Sequence, residues 1–368
     1  MTDPVRVAIA GVGNCAASLV LSVGYYLEGG EDGAIMPLID RLRPSDICFV
    51  AAFDVDRRKV RRPLWHAILA DPNCTEQGRR SPVPSSGGPV VHMGPVLDGV
   101  AAHMAQHPEA RAFRPAGLPP DDVVAVLRES RAEVLVNYMP VGAEDAARFY
   151  ASCALEARCA FINAMPCAIA THPVLLEQFS AACLPLIGDD VKSQFGATYL
   201  HRALAQALSD RGCRVERTYQ LNTGGNTDFL NMLDRSRLTT KRVSKTDAVV
   251  ACLRDPPGPD NVHIGPSDYV PWQRDNKVAF IRVEAVGCGG LPIELECRLS
   301  VQDSPNSAGV VIDAIRFAAM ALRNQVGGAL TAPCAWLMKR PPVQIADQFA
   351  RHACGIAAGG AVQALTLP

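Results

Sequence analysis

Val5-Arg6-Val7-Ala8-Ile9-Ala10-Gly11-Val12-Gly13-Asn14-Cys15-Ala16-Ala17-Ser18 is the stretch that decides the fold. A short β-branched run ends in two glycines one residue apart and passes into the helix-compatible stretch Leu19 to Tyr26. Strand, tight glycine turn and helix open a dinucleotide-binding unit, because the glycines let a pyrophosphate approach the backbone and the helix start offers it free N–H groups. Gly11, Gly13, Asn14 and Cys15 are therefore candidate cofactor-binding residues. Ala16 or Ala17 takes the place of the third glycine of the usual fingerprint.

A second run, Ile47 to Phe53, closes on Asp54-Val55-Asp56. A carboxylate at the end of the second strand accepts hydrogen bonds from the adenosine ribose hydroxyls, so Asp54 favours NAD over NADP. An extra segment, Glu28 to Ser45, stretches the usual spacing of about 20 residues between turn and acid. Arg57 and Arg58 are the alternative reading, as partners of a 2′-phosphate. Residues 71–90 are rich in Pro, Ser, Gly and Arg and predict a mobile surface loop. Beyond it, Glu133–Tyr138, Glu144–Arg158, Cys159–Asn163, His172–Ala182 and Leu184–Gly188 alternate strand with helix, which predicts an α/β fold with a doubly wound parallel sheet. Ligands bind such sheets beyond the C-terminal strand ends, where Asn137, Asn163 and Gly188-Asp189-Asp190 fall.

The pattern changes after residue 190. A helix reaching about Arg211 opens on Lys192-Ser193-Gln194-Phe195-Gly196-Ala197-Thr198, where free N–H groups, Ser193 and Thr198 make either a phosphate cradle or an ordinary N-cap. The polar loop Asn222 to Phe229 precedes Lys241 and Lys245, which at i, i+4 share a helix face and so favour an anion between them. From Val278 to Val301 apolar residues alternate with period two around Gly287-Cys288-Gly289-Gly290, predicting an antiparallel sheet. Ala308 to Leu322 reads as an apolar helix that packs back on the first unit. The expected division is a Rossmann-type NAD-binding unit, 1–193 completed by 304–368, with an inserted α+β unit, 194–303, for catalysis and tetramerisation.

Composition narrows the function. The chain has 368 residues, 48% hydrophobic, with 36 basic against 37 acidic side chains, so it has room for two domains and no positive excess for nucleic acid. No run approaches the roughly 18 apolar residues of a membrane helix, and the apolar N-terminal stretch is broken by Gly11, Gly13 and Asn14. Thirteen cysteines without a C-x-x-C pair read as reduced thiols of a soluble cytoplasmic protein. Only six of the 36 basic residues are lysine, and five of them follow residue 190. An ammonium group can give up its proton where guanidinium cannot, so these lysines are read as chemistry. His103 and His107 lack the glutamate of a zinc helix, and no nucleophile elbow or phosphate-binding P-loop is present.

Gly11-Val12-Gly13-Asn14-Cys15, Phe53-Asp54-Val55-Asp56, Gly188-Asp189-Asp190-Val191-Lys192-Ser193-Gln194, Gly224-Gly225-Asn226-Thr227-Asp228-Phe229, Lys241-Arg242-Val243-Ser244-Lys245-Thr246, Asp303-Ser304-Pro305-Asn306-Ser307 and Leu337-Met338-Lys339-Arg340-Pro341-Pro342 resemble, in order, the blocks of the inositol-phosphate synthase family, actinobacterial type. The resemblance runs from about Val5 to Pro342. It implies an NAD-dependent cyclase of a hexose 6-phosphate: oxidation at C5, enolisation at C6, aldol ring closure, and reduction of C5 by the retained NADH, without net redox. By matching position it implies Lys277 as proton shuttle at the C5 oxygen, Asp303 and Asp228 as orienting acids, and Lys241 and Lys339 as groups polarising the carbonyl and enolate oxygens. It further implies phosphate binding by Lys245 with Ser193, Gln194, Gly196 and Thr198, and NAD contacts from Tyr150, Asp190, Ser193, Asp228 and Lys241. A divalent cation, Mg or Zn, at Asp303 and Ser304, and a homotetramer, complete what it implies, with no membrane partner. Lys59 is left as a surface salt-bridging residue.

Five departures from the family pattern, Pro63, Tyr199, Leu200, Thr223 and Gln302, are expected to surround the site and reshape its sugar pocket. Glucose 6-phosphate giving 1D-myo-inositol 3-phosphate is the first expectation. Fructose 6-phosphate closing to a five-membered cyclitol phosphate is the alternative within the family. A plain NAD dehydrogenase and a silent NAD-binding regulator are the alternatives from other classes.

Overall fold

The computed structural model describes residues 3–76, 78, 87–238 and 246–367. In chain order the first half forms β1 (Val5–Ala10), α1 (Asn14–Leu27), β2 (Ile47–Asp54), α2 (Leu64–Ala67), β3 (Val91–Met93), α3 (Val123–Glu129), β4 (Val134–Asn137), α4 (Glu144–Ala157), β5 (Ala160–Asn163), α5 (Pro173–Ala181) and β6 (Pro185–Ile187). The middle forms α6 (Ala197–Asp210), β7 (Arg214–Gly224), α7 (Thr227–Asn231), β8 (Val262–Tyr269), β9 (Asn276–Val286) and β10 (Pro292–Gln302). The chain returns through α8 (Pro305–Arg323), β11 (Gly328–Ala329), α9 (Thr331–Leu337) and α10 (Asp347–Ala358).

Seven strands form one parallel sheet in the order β11-β6-β5-β4-β1-β2-β3. Its strands are short and apolar on both sides because helices cover both faces. α1 and α8 pack on one face, joining Leu19, Val20 and Val23 to Val310, Ile315 and Phe317 in a single core. α3, α4 and α5 cover the other, around Leu135, Phe161 and Phe179. α8 is apolar on nearly every side, as a helix buried on all sides has to be. Its two buried charged residues, Asp313 and Arg316, pair with each other, and the guanidinium also donates to Met36 O (2.6 Å) and Leu42 O (3.1 Å), so it pins the extra segment 28–45 to the core.

The second sheet has the order β10-β9-β7-β8. β9 pairs antiparallel with β7 and β10, but β8 lies parallel to β7, so this sheet is mixed rather than antiparallel. Period-two alternation reports which face a residue occupies and carries no information on the direction of pairing. α6 covers one face with Leu200, Leu204 and Leu208 over Ile281 and Val283. Under that helix His201 is fully buried, and its Nε2 lies 2.7 Å from Thr218 Oγ1. Thr218 spends its own proton on Arg282 O, so the histidine donates through Nε2–H. Among the described residues no helix is long and apolar enough to cross a membrane.

Candidate active site

The glycine turn sits where β1 meets α1. Gly11 has φ +93, and a Cβ there would stand 2.6 Å from Tyr138 O, so only glycine fits. α1 begins after Gly13 with no side-chain cap, leaving its first N–H groups directed at the cleft. Asp54 braces the turn: Oδ2 accepts from Val12 N at 2.7 Å, while Oδ1 accepts from Val55 N and Asp56 N. The guanidiniums weighed as 2′-phosphate partners are engaged elsewhere, Arg57 with Glu109 and Arg58 with the buried Asp56.

Lys59 is not a surface residue. It is 3% exposed, and its Nζ donates to Val12 O (2.7 Å) and Asn73 Oδ1 (2.8 Å), supporting the glycine turn from below. The start of the expected mobile loop is likewise structural. Pro72 and Asn73 line the cleft, and Cys74 N donates to Asn14 Oδ1 at 2.7 Å. Thr75 Oγ1 donates to Asp275 Oδ2 at 3.1 Å and so takes the Ser18 proton across 2.6 Å, linking α1 to the second sheet. A Pro/Ser/Gly/Arg composition describes only the later part of that segment, most of which lies outside the described residues.

Across the cleft stand two lysine–carboxylate pairs. Lys277, at the start of β9, places Nζ 3.1 Å from Asp303 Oδ1, with the Phe229 ring centred 6.0 Å from the ammonium. Lys339 places Nζ 2.8 Å from Asp190 Oδ1, and its backbone N–H bonds Asp190 O at 2.7 Å. Gly11, Gly13, Asn14, Cys15, Asp54, Tyr150, Asp190, Ser193, Gly196, Thr198, Asp228, Lys277, Asp303, Ser304 and Lys339 all line this one cleft. Gln194 does not: its Nε2 donates to Gly33 O at 2.8 Å, so it anchors the 28–45 segment to the turn. Lys241 and Lys245 lie outside the described residues. Burial, helped by the carboxylates of Asp303, Asp275 and Asp228, pushes the Cys15 thiol up to about 12, so it is a protonated wall residue and no nucleophile.

The residue that sequence reasoning missed is Asp275. It is 2% exposed and accepts from Asn226 Nδ2 and Ser304 Oγ, each at 2.8 Å. Burial outweighs the hydrogen bond from Asn226 and, with neighbouring Asp303, pushes its carboxyl up to about 6. Its position two residues before Lys277 was the available signal. Of the five departures, only Tyr199 lines the cleft. Pro63 caps α2 and bridges to Val90, Leu200 packs under the second sheet, and Thr223 and Gln302 lie on β7 and β10 away from the lining. The expectation that all five surround the site is corrected accordingly: helix phase turns Leu200 into packing, strand alternation turns Thr223 and Gln302 away from the cleft, and Pro63 is held in the turn before α2.

A family model described as myo-inositol-1-phosphate synthase matches residues 196–304. The inositol-3-phosphate synthase of Mycolicibacterium smegmatis is 48% identical over 355 residues, 94% of this chain and 96% of its own. That of Corynebacterium glutamicum is 47% identical over 360 residues, 95% and 97% of the two chains. Among solved structures, the crystal structure of Ari2 superposes with a TM-score of 0.76 at 35% identity, over 97% of this chain and 99% of that one.

Proposed function

The chain belongs to the myo-inositol-1-phosphate synthase family, and on that premise we propose that it is an NAD-dependent cyclase converting glucose 6-phosphate to 1D-myo-inositol 3-phosphate. The observation that carries this reading is the pair of ammonium groups, Lys277 on Asp303 and Lys339 on Asp190, lining the same cleft as an uncapped helix start. A hydride-transfer site alone needs one proton-transfer group. A cyclase also has to stabilise an enolate and an alkoxide, and charged donors in a confined site do this best.

Bound NAD supplies a reversible hydride acceptor for C5. Gly11, Gly13 and the first turn of α1 would hold its pyrophosphate, Asp54 a ribose, and Tyr150 a wall of its site. Lys277, as its neutral amine, would take the C5 hydroxyl proton and later return it, with Asp303 holding the ammonium formed in between. Lys339, with Lys241, would stabilise oxyanions, Asp228 would orient them, and Lys245 would hold phosphate beside Ser193, Gly196 and Thr198. A divalent cation would find two oxygen donors in Asp303 and Ser304; among the described residues no group of three or more His, Cys, Asp or Glu converges to hold a metal. A contact between copies, as a homotetramer needs, is supported by Leu221 and Phe280, 44% and 43% exposed on the open face of the second sheet. A cytoplasmic setting is supported by thirteen free thiols.

The test is incubation of the NAD-loaded protein with glucose 6-phosphate and, separately, fructose 6-phosphate, reading the product skeleton by NMR. A six-membered cyclitol phosphate from glucose 6-phosphate is expected. A five-membered ring from fructose 6-phosphate would instead mean that Tyr199, in the cleft wall, reshapes the sugar pocket. No ring from either sugar would overturn the cyclase assignment.

A further inference from the structure

Behind the cleft lies a buried ionic cluster that the reaction does not use. Lys192 and Arg202 are 4% and 3% exposed, and both donate to one carboxylate, Asp347 at the start of α10. Lys192 Nζ bonds Asp347 Oδ1 and, at 3.1 Å, Ala335 O; Arg202 Nε bonds Asp347 Oδ2 at 2.8 Å. The other arm of the Arg202 guanidinium donates to the buried carbonyl of Ala248. Two cations without this carboxylate would be stranded in the interior, so its placement is costly to lose.

Each cation grips something that carries site chemistry. Lys192 lies two residues from Asp190 and one from Ser193. Its backbone N–H bonds Leu337 O at 2.8 Å while its side chain takes Ala335 O, so it clamps the end of α9 immediately before Lys339. The segment after β6 therefore makes two pairs with the returning chain, Asp190 with Lys339 toward the cleft and Lys192 with Asp347 behind it. Arg202 stands on α6, whose first turn is the candidate phosphate cradle, and holds Ala248, three residues after Lys245 in the sequence.

We propose that Asp347 is a positioning residue for the reaction, a single carboxylate that holds the Lys339 segment and the phosphate-cradle helix at a fixed separation. The inference rests on the cyclase reading for its catalytic consequence but on the cluster alone for its structural one. Burial lowers the Lys192 ammonium to about 8, against the pull of Asp347 and with Arg202 adding to the fall. The other titratable groups facing it are the thiols of Cys252 and Cys354, both raised by burial and so neutral. As pH rises through about 8, Lys192 loses its proton and the clamp on Ala335 and Asp347 slackens.

The test compares wild type, Asp347→Asn, Asp347→Glu and Lys192→Met as NAD-loaded full-length proteins, by kcat and KM across pH and by amide exchange at Lys339 and Arg340. Asp347→Asn is expected to lower kcat about ten- to a hundredfold, the scale of a misplacement near 1 Å, with KM changing little. Its alkaline limb moves to lower pH, because Lys192 loses its counter-charge, and exchange at the two amides quickens at least about tenfold. Asp347→Glu restores part of the rate. Lys192→Met, which removes a buried charge without stranding a new anion in isolation, is expected to abolish the limb near pH 8. A limb unmoved in Lys192→Met together with wild-type amide exchange in either variant would overturn the proposal. If wild type cyclises no hexose phosphate, the functional reading fails, and the exchange comparison still decides the clamp.

Discussion

Lys277 and Thr75 are two residues of opposite legibility. Lys277 stands out as one of six lysines among 36 basic residues, and replacing it with methionine keeps its length while removing its proton. A fall of roughly 10²–10⁴ in kcat is expected, the range of general acid–base catalysis, with NAD retained; cyclitol phosphate release and bound NAD check this. Thr75 has no such signal, since its partner Asp275 lies 200 residues away and no local pattern encodes that meeting. Thr75→Val removes one buried link, and a loss of about 1–2 kcal/mol in stability is expected by denaturant titration, with weaker NAD binding. Lys192 shows the same limit: rarity marked lysines as a class, but only the fold tells an ammonium in the cleft from one buried behind it.

At the scale of elements, the βαβ alternation was open to inspection because helix and strand periods differ and glycine punctuates them. α4, β5 and α5 lie within a residue of the spans read from the pattern. The β7–β8 pairing was hidden, because its direction depends on a connection through residues 225–261 whose course no periodicity describes. α6 carries a consequence for pH. Burial lowers His201 to about 4, so its stabilising contribution is present above its unfolded value of about 6.5 and is lost as pH falls toward 4. About 3 kcal/mol is at stake over that window, and His201→Gln is expected to flatten the acid limb of a thermal-melting profile between pH 6.5 and 4.

For the whole molecule, Asp313 and Arg316 join the extra segment to the core of the large sheet. Breaking the pair with Arg316→Met leaves a carboxylate buried alone, and a loss of about 3–5 kcal/mol is expected by chemical denaturation. The double change Asp313→Leu with Arg316→Met is expected to recover most of it, because both charges leave the interior together. The order of the large sheet has a further consequence, for biosynthesis. Its face over β1, β4 and β5 is covered by α8, and its edge beyond β6 is closed by β11, yet both follow the entire second sheet in the chain. Synthesis must therefore pass residue 329 before the first-made strands find this cover, and until then part of that apolar face stays open to chaperones and to neighbouring nascent chains.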